Sequence, residues 1–311
     1  MNYCFGIDIG GTTVKMGLFQ FDGKLVDKWE IKTRTENKGE AILPDVTKAI
    51  NKKMSEKGLT KDNILGIGLG IPAPVTEAGI VPDTANLGWG YKEVKREMEE
   101  LTGMHVEAGN DANVAALGEM WLGGGQGHRN MIMVTLGTGV GGGVIINGEC
   151  VVGKHGAGGE IGHTCVNYEE EEHCGCGGKG CLEQYASATG ITRLAKRRLA
   201  EDSEPSILRE ENALSAKAVF DAVKKGDRVA IEIATKFGKI LGYALANIAA
   251  VCDPAVIVIG GGVSKAGPIL FEYIEKSFKE KAFFANRDTK FALAELGNDA
   301  GICGAAKLIL K

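Results

Sequence analysis

The run Cys4-Phe5-Gly6-Ile7-Asp8-Ile9-Gly10-Gly11-Thr12-Thr13-Val14-Lys15-Met16-Gly17-Leu18-Phe19 decides how this chain is organised. Cys4 to Ile9 is apolar, a glycine turn follows, and Val14 to Phe19 is apolar again. Phe21-Asp22-Gly23-Lys24 then supplies hairpin chemistry before Leu25 to Ile31. The spacing predicts a β-meander. Glycines at the first turn let backbone N–H groups approach phosphate oxygens, and the Thr hydroxyls add donors. Asp8, two residues before the turn, is placed to orient magnesium. A tight hairpin without a ligand uses the same residue types, so the turn by itself leaves both readings open.

The same pattern returns further along. Met131 to Leu136 reads as a strand, Gly137-Thr138-Gly139-Val140-Gly141-Gly142 as a glycine turn, Gly143 to Ile146 as a second strand and Asn147-Gly148 as a hairpin turn. The glycine segment formally matches the dinucleotide fingerprint G-x-G-x-x-G. That motif must open a helix, and here a strand follows. The repetition predicts two similar α/β domains facing one another, each giving one phosphate-contacting turn to a shared cleft; the alternative is two unrelated hairpins. A third turn, Ile259-Gly260-Gly261-Gly262-Val263-Ser264, ends a buried strand before a helix. Gly261 and Gly262 there permit either the approach of a flat ligand such as adenine or close packing. No Gly-Lys-Ser or Gly-Lys-Thr closes a glycine loop, so a P-loop is excluded.

Between these turns, helical periodicity marks Glu40 to Lys57, ended by Gly58, then Tyr91 to Leu101, and Ala112 to Trp121 capped by Asn110 or Asp111. Ile64 to Leu69 reads as a strand despite its glycines, Ile71-Pro72-Ala73-Pro74 as a loop, and His105 to Ala108 as a short strand. The second half offers a helix over Ala230 to Val251, a strand over Val256 to Ile259, and helices over Ile269 to Phe278 and Gly301 to Leu310. The charged segment Glu201 to Asn212 reads as a solvated linker.

Composition bounds the function classes. The chain has 311 residues, 44% hydrophobic and 24% charged, which suits a globular protein of two domains of about 150 residues each. A net charge of −4 and the lack of a long Lys/Arg run argue against nucleic-acid binding. No apolar stretch reaches the roughly 20 residues of a membrane helix. The opening residues show no secretion signal, so a cytoplasmic protein is expected.

Two clusters carry chemistry. Asn110-Asp111 sits at a strand-to-helix junction, where capping alone explains it, yet an amide and a carboxylate side by side also suit a sugar: one fixes a hydroxyl, the other accepts the proton of the attacking hydroxyl. His163 with Cys174, Cys176 and Cys181 gives a Cys₃His set on a glycine-rich loop with almost no side chains to build a core, which predicts one structural zinc. Spacing leaves His155, Cys165 and His173 as rivals for the fourth place. Glu160 and Glu183 flank the cluster as potential hydroxyl acceptors.

Together these motifs resemble the ROK family, named for repressors, open reading frames and sugar kinases, over essentially the whole chain. Asp8-Ile9-Gly10-Gly11-Thr12 is similar to its phosphate motif, Asn110-Asp111 to its catalytic pair, Gly158-Gly159-Glu160-Ile161-Gly162-His163 to its sugar and zinc segment, and Cys174 to Glu183 to its zinc loop. The resemblance implies an α/β, two-domain actin-like fold (hexokinase-type, ribonuclease H-like) with the ligand cleft between domains. It places the small domain at 1–115, with 301–311 packing back on it, and the large domain at 116–300. It implies transfer of the ATP γ-phosphoryl, with Mg²⁺, to a hexose. Asp111 is then the base, and Asp8, Gly10, Gly11, Thr12, Thr138, Gly139, Gly261 and Gly262 attend the nucleotide. Asn110, Glu160, Glu183 and His163 contact the sugar, His163 also binding zinc. The segments Asn110 to Glu119 and Ala85-Asn86-Leu87-Gly88-Trp89 resemble the glucose-specific branch, which adds Asn86 as a sugar contact. Fructose, mannose, allose or N-acetylmannosamine are the alternative substrates, and a sugar-sensing regulator is the alternative class. The opening strand leaves no room for the DNA-binding helices of the family's repressors. A homodimer is the family-level expectation.

Overall fold

Strand β1 (Tyr3–Ile9), β2 (Thr13–Gln20) and β3 (Leu25–Lys32) form the meander that the opening run predicts. The computed structural model describes residues 2–84 and 86–310; Met1, Lys311 and Ala85, the first residue of the segment quoted above, lie outside the described residues. After the meander come α1 (Ile42–Lys57), β4 (Ile64–Ile71), β5 (Ile80–Val81), β6 (Lys92–Glu93), α2 (Val94–Thr102), β7 (Val106–Asn110) and α3 (Asp111–Leu122). The expected helix from Tyr91 starts later because Lys92 and Glu93 pair with Val81 and Ile80 as a short ribbon. Helix α1 buries Ile42, Leu43, Val46, Ile50 and Met54, and ends where Gly58 turns left-handed at φ 64°.

The strand order β3-β2-β1-β4-β7 places the functional ends side by side. Strands β1, β4 and β7 run parallel, with Asp8 level with Gly70 and Ile71 level with Asn110. The carboxyl ends of three adjacent strands therefore share one rim, where open α/β sheets bind ligands. The glycines inside β1 and β4 have a tertiary cause. A Cβ at Gly6 would overlap the Ile302 carbonyl, and one at Gly68 the Ala305 carbonyl, so the C-terminal helix Ala300–Ile309 can lie directly on the sheet.

The chain divides into two units. The first comprises Met1–Gly127, Gly143–Gly159 and Glu295–Lys311; the second comprises His128–Gly142 and Glu160–Ala294. These run differently from the expected 1–115 with 301–311 against 116–300. Helix α3 is continuous through residue 122 and packs along the C-terminal helix, where Gly118 and Gly304 leave no room for a side chain.

The second sheet has the order β10-β9-β8-β11-β12, with β8 (Met131–Leu136), β9 (Val140–Ile146), β10 (Glu149–Cys150), β11 (Val256–Gly260) and β12 (Lys290–Leu293). Strand β9 begins in the second unit and ends in the first. At its tip Asn147 and Gly148 take φ of 56° and 86°, the left-handed pair that an Asn-Gly hairpin demands. Helices α4 (Glu183–Ala186), α5 (Ala188–Glu201), α6 (Ala216–Lys224), α7 (Arg228–Cys252) and α8 (Ile269–Lys281) complete the second unit. Asp227 caps α7 by accepting from Ala230 N–H at 2.9 Å. The expected linker 201–212 holds a short turn, Ile207–Arg209, fastened by Arg209, whose guanidinium donates to the carbonyls of Leu199, Asp202 and Glu204.

Candidate functional site

In the first unit, the turn after β1 closes through Gly10 N–H to the Thr13 carbonyl at 3.0 Å. Thr33, just beyond β3, holds it from outside: its hydroxyl donates to the Gly10 carbonyl at 2.6 Å and its N–H to the Thr12 carbonyl at 2.9 Å. With the Gly10 and Thr12 carbonyls engaged, Gly11 and Thr12 themselves are exposed at this turn. Asn86 lies against this turn, its carbonyl 3.5 Å from where a Gly11 Cβ would stand. Its loop is pinned by Trp89, whose Nε1–H donates to the Gly39 carbonyl at 3.0 Å.

Asp8 lies half-buried at the same rim, and burial pushes its carboxyl up while Lys15 pulls it down. A Cβ at Gly301 would come within 2.6 Å of that carboxylate, so the glycine at the start of the C-terminal helix makes its space. Lys15 itself donates from Nζ to the Asn298 carbonyl at 3.4 Å.

One rim position further, the choice of helix cap is resolved in favour of Asn110. Its Oδ1 accepts from the N–H groups of Ala112 at 3.0 Å and Asn113 at 3.2 Å, while its Nδ2 donates to the Ala73 carbonyl at 3.1 Å, tying down the 72–74 loop. Asp111 is therefore the first helical residue, half-buried, with one carboxylate oxygen accepting from Ala112 N–H at 2.8 Å. Asp8, Gly10, Gly11, Thr12, Asn110 and Asp111 thus stand at the ends of β1 and β7, with β4 between them, and Asn86 comes in from a loop.

In the second unit, Gly137 N–H donates to the Gly139 carbonyl at 3.0 Å, and Thr189 Oγ1 donates to the Thr138 carbonyl at 2.8 Å. Glu183, the first residue of α4, lies beneath this turn. Its Oε2 accepts from Val140 N–H at 3.0 Å and occupies the space a Gly139 Cβ would need, while its Oε1 is 3.5 Å from Cys174 Sγ. A residue read from sequence as a hydroxyl acceptor thus also connects the glycine turn to the cysteine cluster. Glu160 is exposed and precedes the short turn Ile161–His163. Gly261 takes φ 82°, and a Cβ there would meet the Leu136 backbone at 2.5 Å, which favours the packing reading for that residue. Gly262 faces open space.

His163, Cys174, Cys176 and Cys181 bring one ligand atom each within 4.8 Å of one another. The Cys176–Cys181 sulfur separation is 3.7 Å and that between Cys174 Sγ and His163 Nδ1 is 3.8 Å. An ideal tetrahedron of ~2.3 Å metal–sulfur bonds has edges of about 3.8 Å, so the donors fit zinc. Among the rivals, His173 turns its Nδ1 to the Gly177 carbonyl at 3.0 Å, and neither it nor Cys165 or His155 belongs to the group. Burial pushes the Cys181 thiol up to about 12, whereas the Gly178 N–H pulls Cys176 down.

The sequence reading missed the support of this loop. Buried Glu170 accepts from Tyr185 Oη at 2.5 Å and pairs with Arg193 at 2.8 Å and Arg197 at 3.2 Å; hydrogen bonds from Arg197 hold its carboxyl well below the usual range. The acidic run 169–172 and the arginines of α5 were visible, but no local period joins them.

A paired-strand sheet rim carrying a glycine turn and an Asn-Asp cap, in a chain of two α/β units, defines the actin-like, hexokinase-type class. The chain belongs to the ROK family, whose signature matches residues 4–311. It is 42% identical over 309 residues to the glucokinase of Halalkalibacterium halodurans, covering 98% of this chain and 94% of that protein. A ROK family glucokinase from Streptomyces griseus, solved in complex with glucose and AMPPNP, is 31% identical with a TM-score of 0.74 over 99% of each chain. The ROK hexokinase from Thermus thermophilus is 30% identical, with a TM-score of 0.82 over 98% of this chain and 96% of that one.

Proposed function

We propose that this protein transfers the γ-phosphoryl group of ATP to the 6-hydroxyl of glucose. The observation that carries the chemistry is the division of labour at the α3 N-terminus. Asn110 accepts from two of the first N–H groups of the helix, and Asp111, the first helical residue, is the carboxylate assigned to take the proton from the attacking hydroxyl. As the new oxygen–phosphorus bond forms, the bond to the β-phosphate oxygen breaks and ADP leaves. Exposed Gly11 and Thr12, with Gly10, Thr138 and Gly139, are assigned to the phosphates, Asp8 to the magnesium that accompanies ATP, and Gly261 and Gly262 to the adenine side. Asn86, Asn110, Glu160, His163 and Glu183 are assigned to sugar hydroxyls.

Zinc, held by His163, Cys174, Cys176 and Cys181, would supply order rather than reactivity, since four protein donors leave no open position for water. A cluster of cysteines grouped for a metal suits a reducing cytoplasm, and no described helix is long and apolar enough to cross a membrane. The homodimer rests on family resemblance and is checked by sedimentation.

A coupled ADP-release assay across hexoses tests the reading. One lost hydroxyl partner costs about 1–3 kcal/mol, so kcat/KM for glucose should exceed that for fructose and N-acetylmannosamine by at least ~10-fold. Parity with either sugar would remove glucose as the substrate, and no ADP release with any hexose would remove the kinase.

A further inference from the structure

Glu119 is a fully buried carboxylate that the reaction does not use. It lies two turns along α3 from the Asn110-Asp111 pair, and among the described residues it makes no ion pair. Its acceptors are spent on backbone. Oε2 takes the N–H of Gly124 at 2.9 Å and of Glu295 at 3.0 Å, and Oε1 takes the N–H of Leu296 at 2.9 Å. The Glu119 carbonyl adds Gly123 N–H at 3.1 Å and Gly125 N–H at 3.0 Å. A Cβ at Gly123 would overlap the carboxylate, so the glycine is needed for the arrangement.

The two segments so joined have a particular place in the chain. Residues 123–125 lead to the point after Gly127 where the chain leaves the first unit, and Glu295 is the first residue after its final return. A buried charge needs such hydrogen bonds to be tolerated, and three N–H donors converging on one carboxylate is a charge-assisted arrangement of the stronger kind.

We propose that Glu119 is a positioning residue: it pins the outgoing and the returning connection to α3, so that both move as one rigid part and Asp111, on the same helix, keeps its alignment during turnover. This rests on the kinase reading for its catalytic consequence only. Replacing the carboxylate by an amide turns one acceptor into an NH₂ group facing an N–H, which breaks the clamp with little change of volume.

The test begins with hydrogen exchange of the unaltered protein by NMR. The amides of Gly124, Glu295 and Leu296 should exchange as slowly as the core of α3, and exchange at exposed-loop rates would overturn the proposal. Glu119→Gln should accelerate those three amides. It should also lower kcat by about 10- to 10²-fold at temperatures where it is fully folded, the cost of a small misplacement remote from the chemistry, with glucose binding alone little changed. A folded variant with unaltered kcat would overturn the positioning role. If Glu119→Gln does not fold, Glu119→Asp, which keeps the charge but shortens the reach, is read in the same way. Should the unaltered protein phosphorylate no hexose, the kinase reading fails while the exchange data still judge the clamp.

Discussion

The turns at 10–13 and 137–139 occupy equivalent places in two repeats of one pattern, yet they are held in different ways. The first leans on its own sheet: Gly10 closes on Thr13, and Thr33, just past the meander, braces the carbonyls of Gly10 and Thr12. Beyond Gly11 there is room, since a Cβ there would meet Asn86 only at ordinary distances of 3.5 and 3.7 Å. The second turn is built on a carboxylate. Glu183 fills the space beneath Gly139 and touches Cys174 from its other oxygen, so the order of this turn is tied to the cysteine cluster. Like sequence patterns thus carry unlike dependencies, and a fault in the metal loop should reach one turn and spare the other.

The largest expected effect lies in the unit that carries the first turn, at the start of α3. Asp111→Asn should lower kcat by ~10² or more, the usual share of a general base, while preserving the fold, because the cap belongs to Asn110. Steady-state kinetics beside a thermal melt decide it, and near-normal turnover would refute the assignment.

Metal removal comes next. The protein should contain about one zinc per chain, and Cys176→Ser should lose it together with stability and glucose affinity, since Glu160, His163 and Glu183 hang on the same ordered loop. Exchange at Val140 N–H should rise while that at Gly10 stays unchanged. Unaltered glucose affinity in the zinc-free protein would break the coupling between loop and sugar.

The two glycines give a sharper version of the contrast. Gly139→Ala forces the Glu183 carboxylate aside and should cost about 1–3 kcal/mol of stability, as overpacking does. Gly11→Ala should leave the melting temperature almost unmoved and show itself instead in the KM for ATP. Equal destabilisation by both would mean that the turns are supported alike. Smallest of all, Lys15→Ala removes one long contact to the Asn298 carbonyl and a charge near Asp8, and should change stability by less than about 0.5 kcal/mol.

Much of this was legible beforehand because its causes are local. Strands 4–9 and 131–136, the Gly58 cap and the Asn147-Gly148 hairpin follow from apolar period and left-handed preference. The cysteine spacing announced a metal site, and the structure brings in His163 over its rivals by putting its ring beside Cys174. Short strands such as β12 and helices α5 and α6 were not assigned, and the Glu170–Arg193–Arg197 network joins residues more than twenty positions apart.

By itself, the sequence determined the meander, the glycine turns, the Asn-Asp junction and the three clustered cysteines, since each depends on backbone preference or residue chemistry within a few residues. The tertiary structure alone decided which of Asn110 and Asp111 caps α3, why Gly6 and Gly68 stand inside strands, that Glu183 underlies the second turn, and that Glu119 gathers the two connections. Each of these is a matter of space and hydrogen-bond partners brought together from distant parts of the chain. Local propensity carries no record of such a meeting; only packing creates it.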